Sequence, residues 1–189
     1  MDTKSKILDT AQALVETIGA NAMSYQHISD AVGIRKASIH HHFPSKEHLL
    51  ESLVARYETY FMGVVDRIVG SDKTGRAKLK EYIALFESTL REGKRDKACP
   101  MGMLGAEIQT IGEKPRQRVR HFYSENDRRL AAILEQGRKD GSLRFAGPAG
   151  ALAGLVFGLL EGAMLVARGR GSVAHFRTVT GELLKLLEG

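Results

Sequence analysis

Between Ser24 and Lys46 the chain reads SYQHISDAVGIRKASIHHHFPSK, two short helical segments around one glycine and the opening of another helix. Ser24 is a good N-cap, and Ile28, Ala31 and Val32 recur on one face, which predicts an amphipathic helix over about Tyr25–Val32. Gly33 ends it: without a Cβ, glycine takes the positive φ that turns the chain sharply, and Ile34 is expected to re-enter the core. A second helix is predicted from about Arg35 to His42, with Ile39 and Phe43 inward and Arg35, Lys36, Ala37, Ser38, His40 and His41 outward. Pro44 closes the unit, and Ser45 caps a further helix backed by Leu49, Leu50, Leu53 and Val54. Two short helices around a sharp turn, with hydrogen-bond donors on the outer surface of the second, have the form of a DNA-reading module.

Working outward, Ile7, Leu8, Ala11, Leu14, Val15 and Ile18 recur at helical spacing and predict a first helix packed beneath the reading pair, stopped by Gly19. Ser24, Ile28, Gly33, Ile34, Ser38, Ile39, His42, Phe43, Ser45, Lys46 and Leu49 fall in register with the N-terminal signature of bacterial regulators. On these residues the chain resembles the tetracycline-repressor (TetR) family. Two positions depart from that pattern: Ser29 stands where alanine is usual, and His40 where the family has a tyrosine that touches the DNA backbone. The resemblance implies an all-α protein with a three-helix helix-turn-helix head over residues 1–47. The helix that begins at Ser45 would continue as a connector to about residue 69, and a helical regulatory and dimerisation domain would fill 48–189.

Beyond Lys46 no alternating strand pattern occurs, and helices are predicted over 45–69, 75–94, 100–111, 115–140, 148–168 and 172–187, about nine in all. Pro100, Pro115 and Pro148 each stand where a first helical residue is expected, since a missing N–H costs nothing there. The segment 148–168 is nearly uncharged and about as long as a membrane span. It carries Glu161, however, and glycines at 150, 154, 158 and 162 that form one groove for close helix approach. A buried dimer helix is therefore expected, not a membrane segment, with Phe176, Val179, Leu183, Leu184 and Leu187 of the last helix as its neighbours. Two such helices per subunit would build a four-helix homodimer interface on a two-fold axis.

Composition is consistent with a cytoplasmic regulator. A hydrophobic content of 43% over 189 residues supplies a core, and the single cysteine excludes an internal disulfide. Asp9 and Gln12 interrupt the apolar pattern of the N-terminus, which argues against an export signal. The net charge of +6 is not concentrated on the reading module: residues 1–46 hold five Lys/Arg against four Asp/Glu, and 71–146 hold seventeen against eleven. What favours DNA is local, since Arg35–Lys46 holds three cations, three histidines and no acid.

Within that surface Arg35 and Lys36 are suited to guanine O6 and N7, Gln26 to adenine, and Ser38 to a base edge or phosphate. Tyr25 and Lys46 are expected to touch phosphates, and Ala37, His40 and His41 to share the contact face. The partner is then double-stranded DNA, read as a palindromic operator by two heads. The run His40-His41-His42 is not a metal site, because consecutive helical side chains point about 100° apart. Cys99, flanked by Arg95 and Lys97 before Pro100, reads either as a reactive thiolate or as a small packed side chain. Some members of the resembled family respond to electrophiles through a cysteine in a similar segment. A small-molecule pocket is expected in the regulatory domain, with Phe61, Met62, Tyr82, Phe86, Cys99, Met101, Met103, Phe122 and Met164 as candidate lining. No phosphate loop, nucleophile elbow, Cys-x-x-Cys or His-Glu-x-x-His occurs, so a regulator without cofactor or metal is expected in preference to an enzyme.

Overall fold

A computed structural model describes residues 2–92 and 96–188. Nine helices and no strand occur among the described residues. They cluster into two compact units. One comprises the chain up to Thr59 with Cys99–Phe122, the other Tyr60–Ala98 with Tyr123 onward.

In the first unit, α1 (Thr3–Ala22) starts on Asp2, whose carboxylate accepts from the Ser5 N–H at 2.7 Å, and buries Ile7, Leu8, Ala11 and Val15. Gly19 breaks the helix at φ 83° and ψ 164°, as its position predicts, but a further turn, Ala20–Ala22, follows the break. Ser24 caps α2 (Tyr25–Val32) by accepting from the His27 N–H at 3.3 Å, and Gly33 adopts the left-handed conformation at φ 75°. The Ser29 hydroxyl donates to the Ile34 carbonyl at 2.6 Å and ties that turn together, which gives the departure from alanine a structural use. Ile28 and Ile39 are fully buried, whereas Ala31 is exposed and Val32 and Ile34 only half-buried, so the inward face is narrower than predicted. After α3 (Lys36–His42), Ser45 caps α4 (Lys46–Val69) by accepting from the His48 N–H at 3.1 Å. Leu49, Leu50, Leu53 and Val54 are buried as expected, each worth about 1.5–3 kcal/mol of burial.

α6 (Pro100–Ala106) begins on Pro100 as predicted but stops well before residue 111. The chain there tightens into three-residue turns, Glu107 N–H to Leu104 O at 3.2 Å and Thr110 N–H to Glu107 O at 2.9 Å. α7 (Glu113–Lys139) starts two residues ahead of Pro115, because the Glu47 carboxylate accepts from the Lys114 N–H at 3.2 Å and satisfies an otherwise orphaned donor.

In the second unit, α5 (Gly75–Glu92) follows its prediction to Glu92, the predicted end at residue 94 lying outside the described residues. α8 (Ala149–Gly169) takes Pro148 as its N-cap, not as its first helical residue, and α9 (Val173–Glu188) follows. The Lys78 ammonium, 2% exposed, donates to Val69 O and Gln136 Oε1 at 2.6 Å each, so a buried charge satisfies a helix-end carbonyl. α8 is long and apolar enough by length and composition to cross a membrane. Its inner face, with Ala153, Val156, Leu160, Ala163 and Met164, is buried in the unit's own core. Phe176, Leu183 and Leu187 of α9 also turn into that core, where α9 packs beside α8 as expected, while Val179 and Leu184 are half-buried and Leu186 is 77% exposed. The α9 pattern 176, 180, 183, 187 uses one helical stripe for the subunit's own packing and leaves the opposite stripe outside.

Candidate nucleic-acid interface

The outward side of α3 presents Arg35, Lys36, Ala37, Ser38, His40 and His41, all exposed. The helix beneath them is fixed by buried Ile39 and Phe43, the Gly33 turn and the Ser29 hydroxyl. A groove lined by Thr3, Ile34, Ala37, Ser38, His41 and His42 runs along this face. Thr3 of α1 enters this face, and the ammonium of neighbouring Lys4 lies 5.9 Å from the Phe43 ring centroid. Nothing local in the first turn of α1 signals that it borders α3.

Three expected contacts have partners of their own. The Tyr25 hydroxyl donates its one proton to Phe43 O at 2.8 Å, and burial pushes its pKa up to about 12. A phosphate oxygen only accepts, so Tyr25 in this arrangement braces α2 against the end of α3 and does not serve as a phosphate donor. Its ring packs against His40 at 4.8 Å, which places the histidine on the outer surface. The Lys46 ammonium donates to Met23 O at 2.7 Å and Asn21 O at 3.3 Å, with burial lowering its pKa against the opposing charge of Glu107. Two of its three protons thus satisfy carbonyls at the end of α1, which leaves one for a further acceptor. Gln26 donates to Asp30 Oδ1 at 2.6 Å and keeps its own carboxamide oxygen for another donor. Of the consecutive histidines, His40 lies on Tyr25, whereas His41 and His42 meet edge to face at 5.4 Å.

The expected pocket residues fall into separate groups. Phe61, Tyr82 and Phe86 touch one another in the second unit at centroid distances of 5.5–6.3 Å, and Met62 and Met164 are buried in the same unit. Phe157 extends this cluster from Phe86, at 6.2 Å, to Tyr123, at 5.7 Å. Fully buried Asn126 accepts from the Tyr82 hydroxyl at 2.7 Å, while its Nδ2 has no hydrogen-bond partner among the described residues. Asn126 was missed because SENDRR reads as a solvated helix face. Cys99, Met101, Met103 and Phe122 belong to the first unit. There Cys99 is 4% exposed, its Sγ is 3.9 Å from the Tyr57 hydroxyl, and Tyr57 packs on Phe122 at 5.9 Å. Of the two cations expected beside the thiol, Lys97 is half-buried and Arg95 lies outside the described residues.

A short helix pair with a glycine turn and an exposed cationic second helix, joined to a wholly helical remainder, defines a helix-turn-helix DNA-binding regulator. Residues 7–53 match the family model for bacterial regulatory proteins of the tetR family, and 75–182 match the tetracyclin repressor-like C-terminal domain. A solved TetR-family transcriptional regulator from Agrobacterium tumefaciens is 33% identical, with a TM-score of 0.93 over 98% of this chain and 97% of that one. The HTH-type transcriptional repressor KstR2 of Rhodococcus jostii is 28% identical over 142 residues, 75% of this chain and 68% of that protein. The nucleoid occlusion factor SlmA of Vibrio campbellii is 24% identical over 154 residues, 82% of this chain and 77% of that protein. The chain belongs to the TetR family. It is a DNA-binding transcriptional regulator.

Proposed function

We propose that the protein is a homodimeric repressor, acting in the cytoplasm, that holds a palindromic operator through α3 of each subunit and lets go when a small molecule binds. One observation carries the reading: Arg35, Lys36, Ser38, His40 and His41 are exposed together on a short helix whose inner side is anchored. Residues 1–47 act as the reading head. Arg35 and Lys36 donate to guanine edges and Ser38 to a base edge or phosphate, each good bidentate contact adding about 1–3 kcal/mol of discrimination. Gln26 reads adenine once its amide leaves Asp30.

The uncovered outer face of α8 supports dimerisation. Gly150, Gly154, Gly158 and Gly162 lie exposed there with Leu155, Leu165 and Val166. A two-fold dimer presents two heads, and a palindrome offers them half-sites about one DNA turn, roughly 34 Å, or a modest multiple of it apart. The effector site is the aromatic cluster of Phe61, Tyr82, Phe86, Tyr123 and Phe157 with Asn126. A ligand that binds the released state 100-fold better supplies about 2.7 kcal/mol of coupling.

The test is to incubate the purified protein with fragments of its own genome at near-physiological salt, sequence what is retained, and repeat with Lys36→Ala. Enrichment of a palindrome whose preference relaxes at particular positions in Lys36→Ala is expected. Retention of random fragments, lost steeply with salt, would refute sequence-specific regulation.

A further inference from the structure

The short turn Ala20–Ala22, after the Gly19 break, is held from outside its own helix. Gly19 leaves helical geometry, so the next amides lose the carbonyls that a continuous helix would offer them. Glu107 replaces those acceptors from 86–87 residues away. Its Oε2 accepts from the Ala20 N–H at 2.7 Å, and both its oxygens accept from the Asn21 N–H at 3.2 Å. The carboxylate fills the space a side chain at residue 19 would need, since a Cβ there would lie 2.6 Å from Glu107 Oε1. Thr110 adds a bond from its hydroxyl to Asn21 Oδ1 at 2.9 Å. The Lys46 ammonium closes the other end on Asn21 O and Met23 O. The next residue, Ser24, is the N-cap of α2, so the pose of this turn sets the direction in which α2 and α3 leave α1. Glu107 itself is the C-cap of α6, the first residue past Ala106.

We propose that Glu107 is a positioning residue of the DNA-reading head: through the Ala20 and Asn21 amides, the end of α6 holds α2 and α3 in the pose that fits the operator. The inference rests on the DNA-binding reading above and adds a residue that no contact with DNA would reveal. A shift of α6 carries its C-cap carboxylate along, and the head loses its fixed pose without any change in its DNA-facing side chains. Lys46 shares the arrangement, so its substitution weakens all operators alike, as a phosphate contact would, but without lowering the salt dependence.

The experiment uses the full chain and the operator recovered with the wild type, and compares Glu107→Ala, Glu107→Gln and Thr110→Ala. Operator affinity, its salt slope and amide hydrogen exchange at residues 20–23 are measured at a temperature where all remain folded. In Glu107→Ala the Ala20 and Asn21 amides should exchange at least about tenfold faster and operator affinity should fall about tenfold, the loss of one or two charge-assisted bonds. The salt slope should stay that of the wild type, because no phosphate contact is removed. Glu107→Gln keeps one acceptor oxygen and should recover part of both effects, and Thr110→Ala should lie near the wild type. Faster exchange with undiminished operator affinity in Glu107→Ala would overturn the proposal. Should Glu107→Ala fail to fold, wild-type affinity and exchange in Glu107→Gln would overturn it equally. A wild type that enriches no DNA sequence refutes the regulator reading and this inference with it, whereas an enriched operator bound equally by Glu107→Ala refutes the inference alone.

Discussion

Substitution of the α8 glycines separates a surface that is merely exposed from one that packs on a second copy of the chain. A Cβ built at Gly150, Gly154, Gly158 or Gly162 meets no heavy atom within 4 Å. Within one subunit, therefore, Gly→Ala costs no space and gains about 0.8–1.0 kcal/mol of helix propensity per site. Gly154→Ala/Gly158→Ala should then make an isolated subunit about 2 kcal/mol more stable. A dimer built on this groove behaves oppositely. The two-fold axis places each substitution twice, and overpacking at about 1–3 kcal/mol per methyl gives about 2–6 kcal/mol per substituted site, roughly 30-fold to 20,000-fold in the dissociation constant. The propensity gain is common to both states and cancels from that constant. Sedimentation velocity over a dilution series measures dimer dissociation, and thermal unfolding below the dissociation constant measures the subunit alone. The expected result is a weaker dimer of more stable subunits, with operator binding lost in parallel. A double variant with the wild-type dissociation constant, or a wild type that is monomeric at tens of micromolar, refutes the use of this groove.

Three further substitutions test local assignments. Because the folded-state pKa of Tyr25 is raised from 10.0 to about 12, its proton is held more tightly in the native state, and its contribution to stability is complete below pH 10 and lost as pH rises toward 12. Denaturant unfolding of Tyr25→Phe should show a smaller loss across that window than the wild type, and an equal loss would refute the assignment. Tyr82→Phe strands the buried Asn126 carboxamide and should cost about 1–3 kcal/mol in thermal or denaturant unfolding, most of it recovered on adding Asn126→Leu. A cost confined to about 0.5 kcal/mol would show that the pair is not bonded in solution. Cys99, at 4% exposure, should react with a thiol-disulfide reagent far more slowly in the native protein than in the unfolded chain. Rapid labelling accompanied by operator release, absent in Cys99→Ser, would assign it as a reactive sensor and refute a packing role.

The features legible in the sequence were those decided within a few residues. Ser24 and Ser45 cap the helices that follow them, Gly33 turns left-handed, and Ile28, Ile39 and Phe43 are buried, because each follows from a spacing of three or four or from one residue's own backbone preference. What a local pattern does not carry is the action of a distant side chain. α7 begins at Glu113 because Glu47 supplies an acceptor, and Tyr25 is no free donor because Phe43 O lies beside its hydroxyl. The aromatic candidates Phe61, Tyr82 and Phe86 were found by residue type, but their polar partner Asn126 was hidden in a charged helix segment. For α9, hydrophobic periodicity identifies an apolar face without saying whether the subunit or its partner covers it.

In α8, by contrast, apolar or small residues lie on both faces. Ala153, Val156 and Leu160 pack inward, while the glycine row with Leu155, 59% exposed, lies opposite. A helix with leucine on its uncovered side and a groove four residues in period is poorly suited to remain in water as a lone surface, whereas a second copy would cover it by symmetry. The proposed palindromic operator calls for the same partner on separate grounds, because one α3 spans only a few base pairs. Loss of dimer and loss of operator should accordingly occur at the same protein concentration when Gly158 is enlarged. A variant that remained monomeric yet bound the full operator with wild-type affinity would break that link and leave the glycine row unexplained.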